Sequence, residues 1–107
     1  MVGEITPRQY LDLLAGGATP TLLDVREDWE VKLAPAPVGH VHIPMGRIPE
    51  RRGELDPARH TVVLCRSGQR SLQVAHYLER AGFSSVANLA GGILAWSRDI
   101  DPSIPIY

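Results

Sequence analysis

Residues 62–76 read Val-Val-Leu-Cys-Arg-Ser-Gly-Gln-Arg-Ser-Leu-Gln-Val-Ala-His. Val62, Val63 and Leu64 form a short apolar run of the kind that a buried strand uses. Leu72, Val74, Ala75 and Leu78 then recur at an approximate helical period. Between the two elements stand only Cys65, Arg66, Ser67, Gly68, Gln69, Arg70 and Ser71. A strand that becomes a helix over so short a loop points several backbone N–H groups at one spot, at the positive end of the helix dipole, and so binds anions. The same field stabilises a thiolate, and Cys65 is the chain's one cysteine. Arg66 and Arg70 add positive charge beside it. Such a loop can create a nucleophile and hold an anionic substrate against it.

A cysteine at a strand end can also be inert, because free cysteine is among the most buried residue types. A core thiol does not need Arg-Ser-Gly-Gln-Arg-Ser after it. That segment is small, polar and positive, which suits a cradle and not a core.

Cys65-Arg66-Ser67-Gly68-Gln69-Arg70-Ser71 resembles the active-site loop of rhodanese-type sulfurtransferases. Leu22-Leu23-Asp24-Val25-Arg26-Glu27 is similar to the first signature of that family, and Asn88-Leu89-Ala90-Gly91-Gly92-Ile93-Leu94-Ala95-Trp96 resembles its last. The three stretches occur in the family's order and span nearly the whole chain. The resemblance implies a single rhodanese domain over residues 1–107. Its fold would be a twisted α/β sheet of about five strands, mostly parallel, with helices on both faces. The alternation of strand-like and helical segments independently implies a mostly parallel sheet covered on both sides.

The resemblance also implies a mechanism. The Cys65 thiolate attacks the outer sulfur of a small anionic donor such as thiosulfate, sulfite leaves, and Cys65 carries a persulfide. Cyanide, a thiol or a protein then takes the sulfur, completing a covalent double displacement. Backbone N–H groups from Arg66 through Ser67, Gly68, Gln69 and Arg70 to Ser71 would surround the persulfide and the leaving anion. Arg66 and Arg70 would attract the donor; which of them faces it stays open. No cofactor is implied. The chain departs from the family in one place: rhodaneses commonly carry His-Ile-Pro-Gly-Ala before the next strand, and here Ala36-Pro37-Val38-Gly39-His40 is expected there, with Ala36 in place of the histidine.

Asp24 ends the run Thr21–Val25, which is too short for a helix, and Arg26 follows it. In an open α/β sheet this end of a strand faces the ligand crevice, so either residue can support the site. A carboxylate beside an anionic substrate is repulsive, so Asp24 is expected to cap the following helix. Arg26 suits a substrate contact or a structural ion pair equally well. Trp29 reads as core or cleft wall.

Elsewhere, Thr6-Pro7 opens a helix as N-cap and first residue, and Gly16-Gly17 closes it. His40-Val41-His42-Ile43-Pro44 reads as a strand; its two histidines lack a third ligand, so no metal site is expected. Met45 through Glu50 leads into a helix that runs to about Leu55. Its Arg47, Arg51 and Arg52 are a solvated face or a dock for an acidic partner. Asp56–His60 is a turn, Ser71–Ala81 a helix ended by Gly82, and Ser84–Leu89 a strand. Gly91-Gly92 lacks the full dinucleotide-loop pattern and lets the last helix start close to the sheet. The proline-rich tail 101–107 is extended and can dock on the body.

With 107 residues, a net charge of −1, 44% hydrophobic and 21% charged residues, the composition is that of an ordinary globular domain. That charge balance suggests neither nucleic acid nor a membrane surface as partner. No apolar run is long enough to span a membrane, and the N-terminus does not read as a signal peptide. A lone reactive thiol is best kept reduced, so the cytoplasm is the expected location.

Two other functions compete. Cysteine phosphatases and arsenate reductases use similar thiolate logic but place five residues between cysteine and arginine. Five residues after Cys65 lead to Ser71, and the arginine comes one position early at Arg70. The shorter loop makes a tighter cradle, suited to one sulfur atom and not to a tetrahedral oxyanion. Rhodanese-like docking modules lack the nucleophile that Cys65 supplies, although a sulfur carrier to a specific protein fits the chain.

Overall fold

The computed structural model describes residues 1–107. β1 (Gly3–Ile5), α1 (Pro7–Ala15), β2 (Thr21–Asp24), α2 (Asp28–Leu33) and β3 (Val41–His42) lead to α3 (Ile48–Arg51). β4 (Thr61–Leu64), α4 (Gln69–Arg80), β5 (Val86–Leu89) and α5 (Gly92–Asp99) follow. The five strands form one sheet in the order β1-β5-β4-β2-β3, and every pairing is parallel. All strands therefore end on one edge, and the loops that leave that edge converge.

The sheet is covered on both faces, and the period of two along each strand assigns its side chains. Leu23, Val25, Val63 and Cys65 point to one face, where Val74, Ala75 and Leu78 of α4 and Ile48 of α3 pack on them. Leu22, Val62, Leu64, Ala87 and Leu89 point to the other, against Tyr10 of α1 and Ile93 and Trp96 of α5. Each fully buried Val or Leu stabilises the fold by about 1.5–3 kcal/mol. The inner strands β2 and β4 thus carry apolar side chains at consecutive positions, Leu22-Leu23 and Val62-Val63-Leu64, because both faces are covered.

Local signals set the helix ends. Thr6 caps α1 in a capping box with Gln9: Gln9 N–H donates to Thr6 Oγ1 at 3.1 Å, and Thr6 N–H donates to Gln9 Oε1 at 2.9 Å. The helix expected to run to about Leu55 is instead broken into short turns: a 3₁₀ turn at Met45–Arg47, α3, and a 3₁₀ turn at Arg52–Glu54. Pro44 and Pro49 fix the entry turns, and Gly46 and Gly53 weaken continuation. The strand expected over residues 40–44 is only Val41–His42. The family's His-Ile-Pro stands at His42-Ile43-Pro44 and not in the loop at Ala36; His42 Nε2 lies 2.7 Å from the Arg26 carbonyl and ties β3 to the end of β2.

Candidate functional site

Cys65 follows β4 directly and is 1% exposed. The chain then turns through Arg66, Ser67 and Gly68 into α4. Gly68 has φ +100°, which only glycine adopts without strain, and a Cβ there would lie 3.3 Å from the Gly91 nitrogen. This turn aims the Gly68 N–H at the sulfur, 3.1 Å away. Ser71 Oγ lies 3.2 Å from the sulfur on the other side. Burial pushes the thiol up, but the Ser71 hydroxyl and the N–H groups of Ser71, Gly68 and Ser67 outweigh it and hold Cys65 below its ordinary value. The sulfur sits at the N-terminus of a 12-residue helix, where the dipole acts in the same direction.

A second layer holds the loop. At the start of α5, Ile93 N–H donates to the Cys65 carbonyl at 2.9 Å and Leu94 N–H to the Arg66 carbonyl at 3.1 Å. With their carbonyls bound outward, the loop's N–H groups are left facing the sulfur. Gly92, at φ +62°, permits this approach: a Cβ there would lie 2.4 Å from the Arg66 carbonyl oxygen. Asn88 of β5 donates from Nδ2 to the Gly68 carbonyl at 3.0 Å and accepts from Ser71 Oγ at 2.5 Å.

The two loop arginines are separated in role by their partners. Arg70 donates to both oxygens of Glu30, at 2.7 Å each. Arg66 lies over the Tyr107 ring, 5.2 Å from its centroid, and donates from Nε to the Tyr107 main-chain oxygen at 2.5 Å, with a further contact from Nη2. Ser67 and Gln69 are exposed at the rim.

Asp24 and Arg26 are both fully buried. Asp24 does not cap the next helix, since Glu27 holds that position. Its oxygens instead take the Arg26 N–H at 3.1 Å, Nε at 3.0 Å and Nη2 at 2.8 Å. Local pairing wins because Arg26, two residues on, can return to the carboxylate and neutralise it in the same turn. Arg26 Nη1 also donates to the Tyr107 hydroxyl at 3.1 Å, and that hydroxyl donates to Glu30 at 3.0 Å. An unbroken chain, Asp24–Arg26–Tyr107–Glu30–Arg70, thus links the end of β2 to the cysteine loop. Trp29 is not core: it is 61% exposed and stands edge-on to Tyr107.

The sequence alone assigns no individual site role to Asn88, Glu30 or Tyr107. Asn88 had a signal, as the polar residue in the otherwise apolar strand Val86-Ala87-Asn88-Leu89. Glu30 and Tyr107 had none, because their partners lie 40 and 41 residues away in Arg70 and Arg66.

Residues 6–99 match the family described as Rhodanese-like domain. The chain belongs to that family. It is 47% identical over 81 residues to the putative sulfurtransferase YtwF of Bacillus subtilis, covering 76% of this chain and 77% of that protein. It is 44% identical over 90 residues to the Rhodanese-like/PpiC domain-containing protein 12, chloroplastic, of Arabidopsis thaliana, covering 80% of this chain but only 30% of that larger protein. The crystal structure of a rhodanese-like domain protein from Staphylococcus aureus superposes with a TM-score of 0.84 at 28% identity, covering 99% of each chain. The expected rhodanese-like α/β fold is therefore the observed one, and the chain is a member of a sulfurtransferase family.

Proposed function

We propose that this rhodanese-like domain moves a sulfane sulfur from a small anionic donor such as thiosulfate to a thiophilic acceptor through a persulfide on Cys65. The observation that carries the reading is the inward convergence of the Gly68 N–H and the Ser71 hydroxyl on one buried sulfur, at 3.1 and 3.2 Å. A thiolate there is stabilised before any substrate arrives, so it attacks without a general base. The thiolate pair forms the new S–S bond. The old bond from the sulfane sulfur breaks, and its electron pair leaves with sulfite. The outer sulfur then carries the charge, and the loop N–H groups stabilise it.

Arg66 is the arginine suited to the donor, because Arg70 is neutralised by Glu30. The same pairing argues against phosphatase chemistry, in which the loop arginine must be free to hold a tetrahedral oxyanion. The loop N–H groups and the thiol perform the transfer without a cofactor. An external thiol or protein acceptor fits a chain with one cysteine, which cannot resolve the persulfide as an internal disulfide. The domain would act as one unit over residues 1–107, in a reducing compartment such as the cytoplasm, without nucleic acid or membrane as partner. No helix is long and apolar enough to cross a membrane.

The test is the intact mass of the wild type and of Cys65→Ser after incubation with thiosulfate. Gain of one sulfur on the wild type alone, removed by cyanide, is the expected result. A folded, reduced wild type that gains no sulfur from thiosulfate or from a cysteine-desulfurase donor would sink the proposal.

A further inference from the structure

We infer that Asn88 is a positioning residue that opposes ionisation of Cys65 by competing with the sulfur for the single hydroxyl proton of Ser71. The inference rests on the reading of Cys65 as the nucleophile and adds the residues that set its proton affinity.

The direction of each hydrogen bond follows from which atoms carry hydrogen. Asn88 Nδ2 faces only acceptors: the Gly68 carbonyl at 3.0 Å and the two Glu4 carboxylate oxygens at 3.2 and 3.1 Å. Turning the amide over would set Oδ1 against these three oxygens, so its orientation is fixed. Oδ1 then lies 2.5 Å from Ser71 Oγ, and since Oδ1 cannot donate, Ser71 must. Ser71 Oγ is also 3.2 Å from Cys65 Sγ. Ser71 is fully buried and Asn88 is 3% exposed, so water offers neither a ready substitute.

A hydroxyl has one proton to give. While the sulfur is a thiol, both bonds are made: S–H donates to Ser71 Oγ, and Ser71 O–H donates to Asn88 Oδ1. When the sulfur loses its proton, the two acceptors compete. If Ser71 stays with Asn88, the thiolate loses its side-chain donor. If Ser71 turns to the thiolate, the buried Oδ1 is left without one, which carries the cost of an unsatisfied polar group. Either arrangement takes away part of the stabilisation that Ser71 and the loop N–H groups give the thiolate. Glu4 sharpens the competition, because its carboxylate draws on the amide N–H and makes Oδ1 a stronger acceptor.

A loaded sulfur removes the conflict. In the persulfide, Sγ is bonded to Cβ and to the outer sulfur, carries no proton and holds little charge. Ser71 can then return its proton to Asn88. The network thus favours the loaded cysteine over the empty thiolate. Other charges surround the sulfur from neighbouring elements. Arg70 of α4 acts on it through its field, with Glu30 of α2 paired to it. Arg66 is bound to Tyr107, and Asp24 at the end of β2 and Arg26 just beyond it bind each other. None of these five shares a hydrogen bond with Ser71 or Asn88; Glu4 alone among the charged residues does.

The test is the pH dependence of Cys65 alkylation by iodoacetamide, in the full chain with no sulfur donor. It compares the wild type with Asn88→Ala, Glu4→Gln and Ser71→Ala, and with each of the first two combined with Ser71→Ala. Asn88→Ala is expected to raise the thiolate fraction, at a pH below the thiol's midpoint, by about fivefold, the weight of one hydrogen bond. Ser71→Ala is expected to lower it. In the Ser71→Ala background, Asn88→Ala gives no gain. Glu4→Gln changes an exposed side chain, leaves the core intact and gives a smaller gain that also vanishes without Ser71; if Asn88→Ala does not fold, this variant decides alone. A fall or no change in the variant that folds would overturn the inference and leave Asn88 as a loop brace. A gain that persists without Ser71 would overturn it too, since only a through-space field survives that deletion. Because no donor is present, this readout is independent of sulfur loading, and a failure of the loading experiment shows separately.

Discussion

Glu30 of α2 and Arg70 of α4 are joined by two hydrogen bonds of 2.7 Å across 40 residues of sequence. Arg70 holds the Glu30 carboxyl down to about 2, from an ordinary value of 4.5, against the opposing effect of burial. A carboxyl depressed by folding contributes stability that is complete above pH 4.5 and disappears as the pH falls toward 2. Arg70 is 35% exposed, so solvent screening reduces the pair's contribution to about 2 kcal/mol. Glu30→Gln is expected to destabilise the domain by about that amount at neutral pH and to flatten the acid limb of its stability. Urea denaturation at a series of pH values checks both; an unchanged acid limb would show that other carboxyls govern it.

The approach of α5 to the cysteine loop leaves no room at Gly92. A Cβ would lie 2.4 Å from the Arg66 carbonyl oxygen and 2.5 Å from that of Cys65, both backbone atoms, and φ is +62°. Gly92→Ala must therefore push the loop from α5 and break the bonds from Ile93 and Leu94 that hold its carbonyls outward. The expected cost is about 2–4 kcal/mol in stability, with loss of persulfide formation in the protein that still folds. Chemical denaturation and intact mass after thiosulfate check the two effects. Gly46→Ala serves as control, because nothing lies within 4 Å of a Cβ there.

What the sequence made legible was local. The apolar runs of β2 and β4, the capping Thr6-Pro7 and the turn from Cys65 into α4 each depend on neighbours a few residues apart, and each stands where its pattern puts it. Gly91-Gly92 could be placed at the start of α5, but not against the Cys65 and Arg66 carbonyls, since that contact spans the sheet edge. Asp24 was misjudged for a related reason. Its helix-capping propensity is a local rule, and Arg26 offered a full opposite charge inside the same buried turn. Trp29 is exposed because the face of α2 that turns inward carries Glu30, which Arg70 requires. Pairings that depend on which strand ends converge become visible only once the β1-β5-β4-β2-β3 order is known.

The Asp24–Arg26 pair lies beside the site with both side chains at 0% exposure. Removing one partner strands a buried charge, so Asp24→Asn or Arg26→Met alone is expected to cost about 3–5 kcal/mol. Replacing both, as Asp24→Leu with Arg26→Met, removes the stranded charge and should recover much of that loss. Arg26 also bonds the Tyr107 hydroxyl, so the double variant still loosens the tail. Thermal denaturation of the two single variants and the double variant checks the pattern. A double variant as unstable as the sum of the singles would mean that shape, and not charge, sets the requirement.

Tyr107 sits where an anionic donor would approach Arg66. Its main-chain oxygen takes the Arg66 Nε hydrogen bond, its ring lies under the guanidinium, and its hydroxyl is held by Arg26 and Glu30. The largest cavity, about 510 Å³ between α3 and α4, is lined by none of residues 65–71. On the proposed reading, an anionic donor that binds Arg66 competes with Tyr107 for the guanidinium. Arg66→Ala is expected to lower kcat/KM for thiosulfate by about 10- to 100-fold, the weight of a charge-assisted hydrogen bond, chiefly through KM. Tyr107→Ala removes the ring and hydroxyl that anchor the oxygen, so it is expected to raise kcat/KM severalfold while Ile104, buried against α5, keeps the rest of the tail in place. Combined with Arg66→Ala, the Tyr107→Ala gain should vanish, because it acts through Arg66. Steady-state kinetics on the four proteins decides between this and a tail that helps to build the donor site, for which Tyr107→Ala would lower kcat/KM.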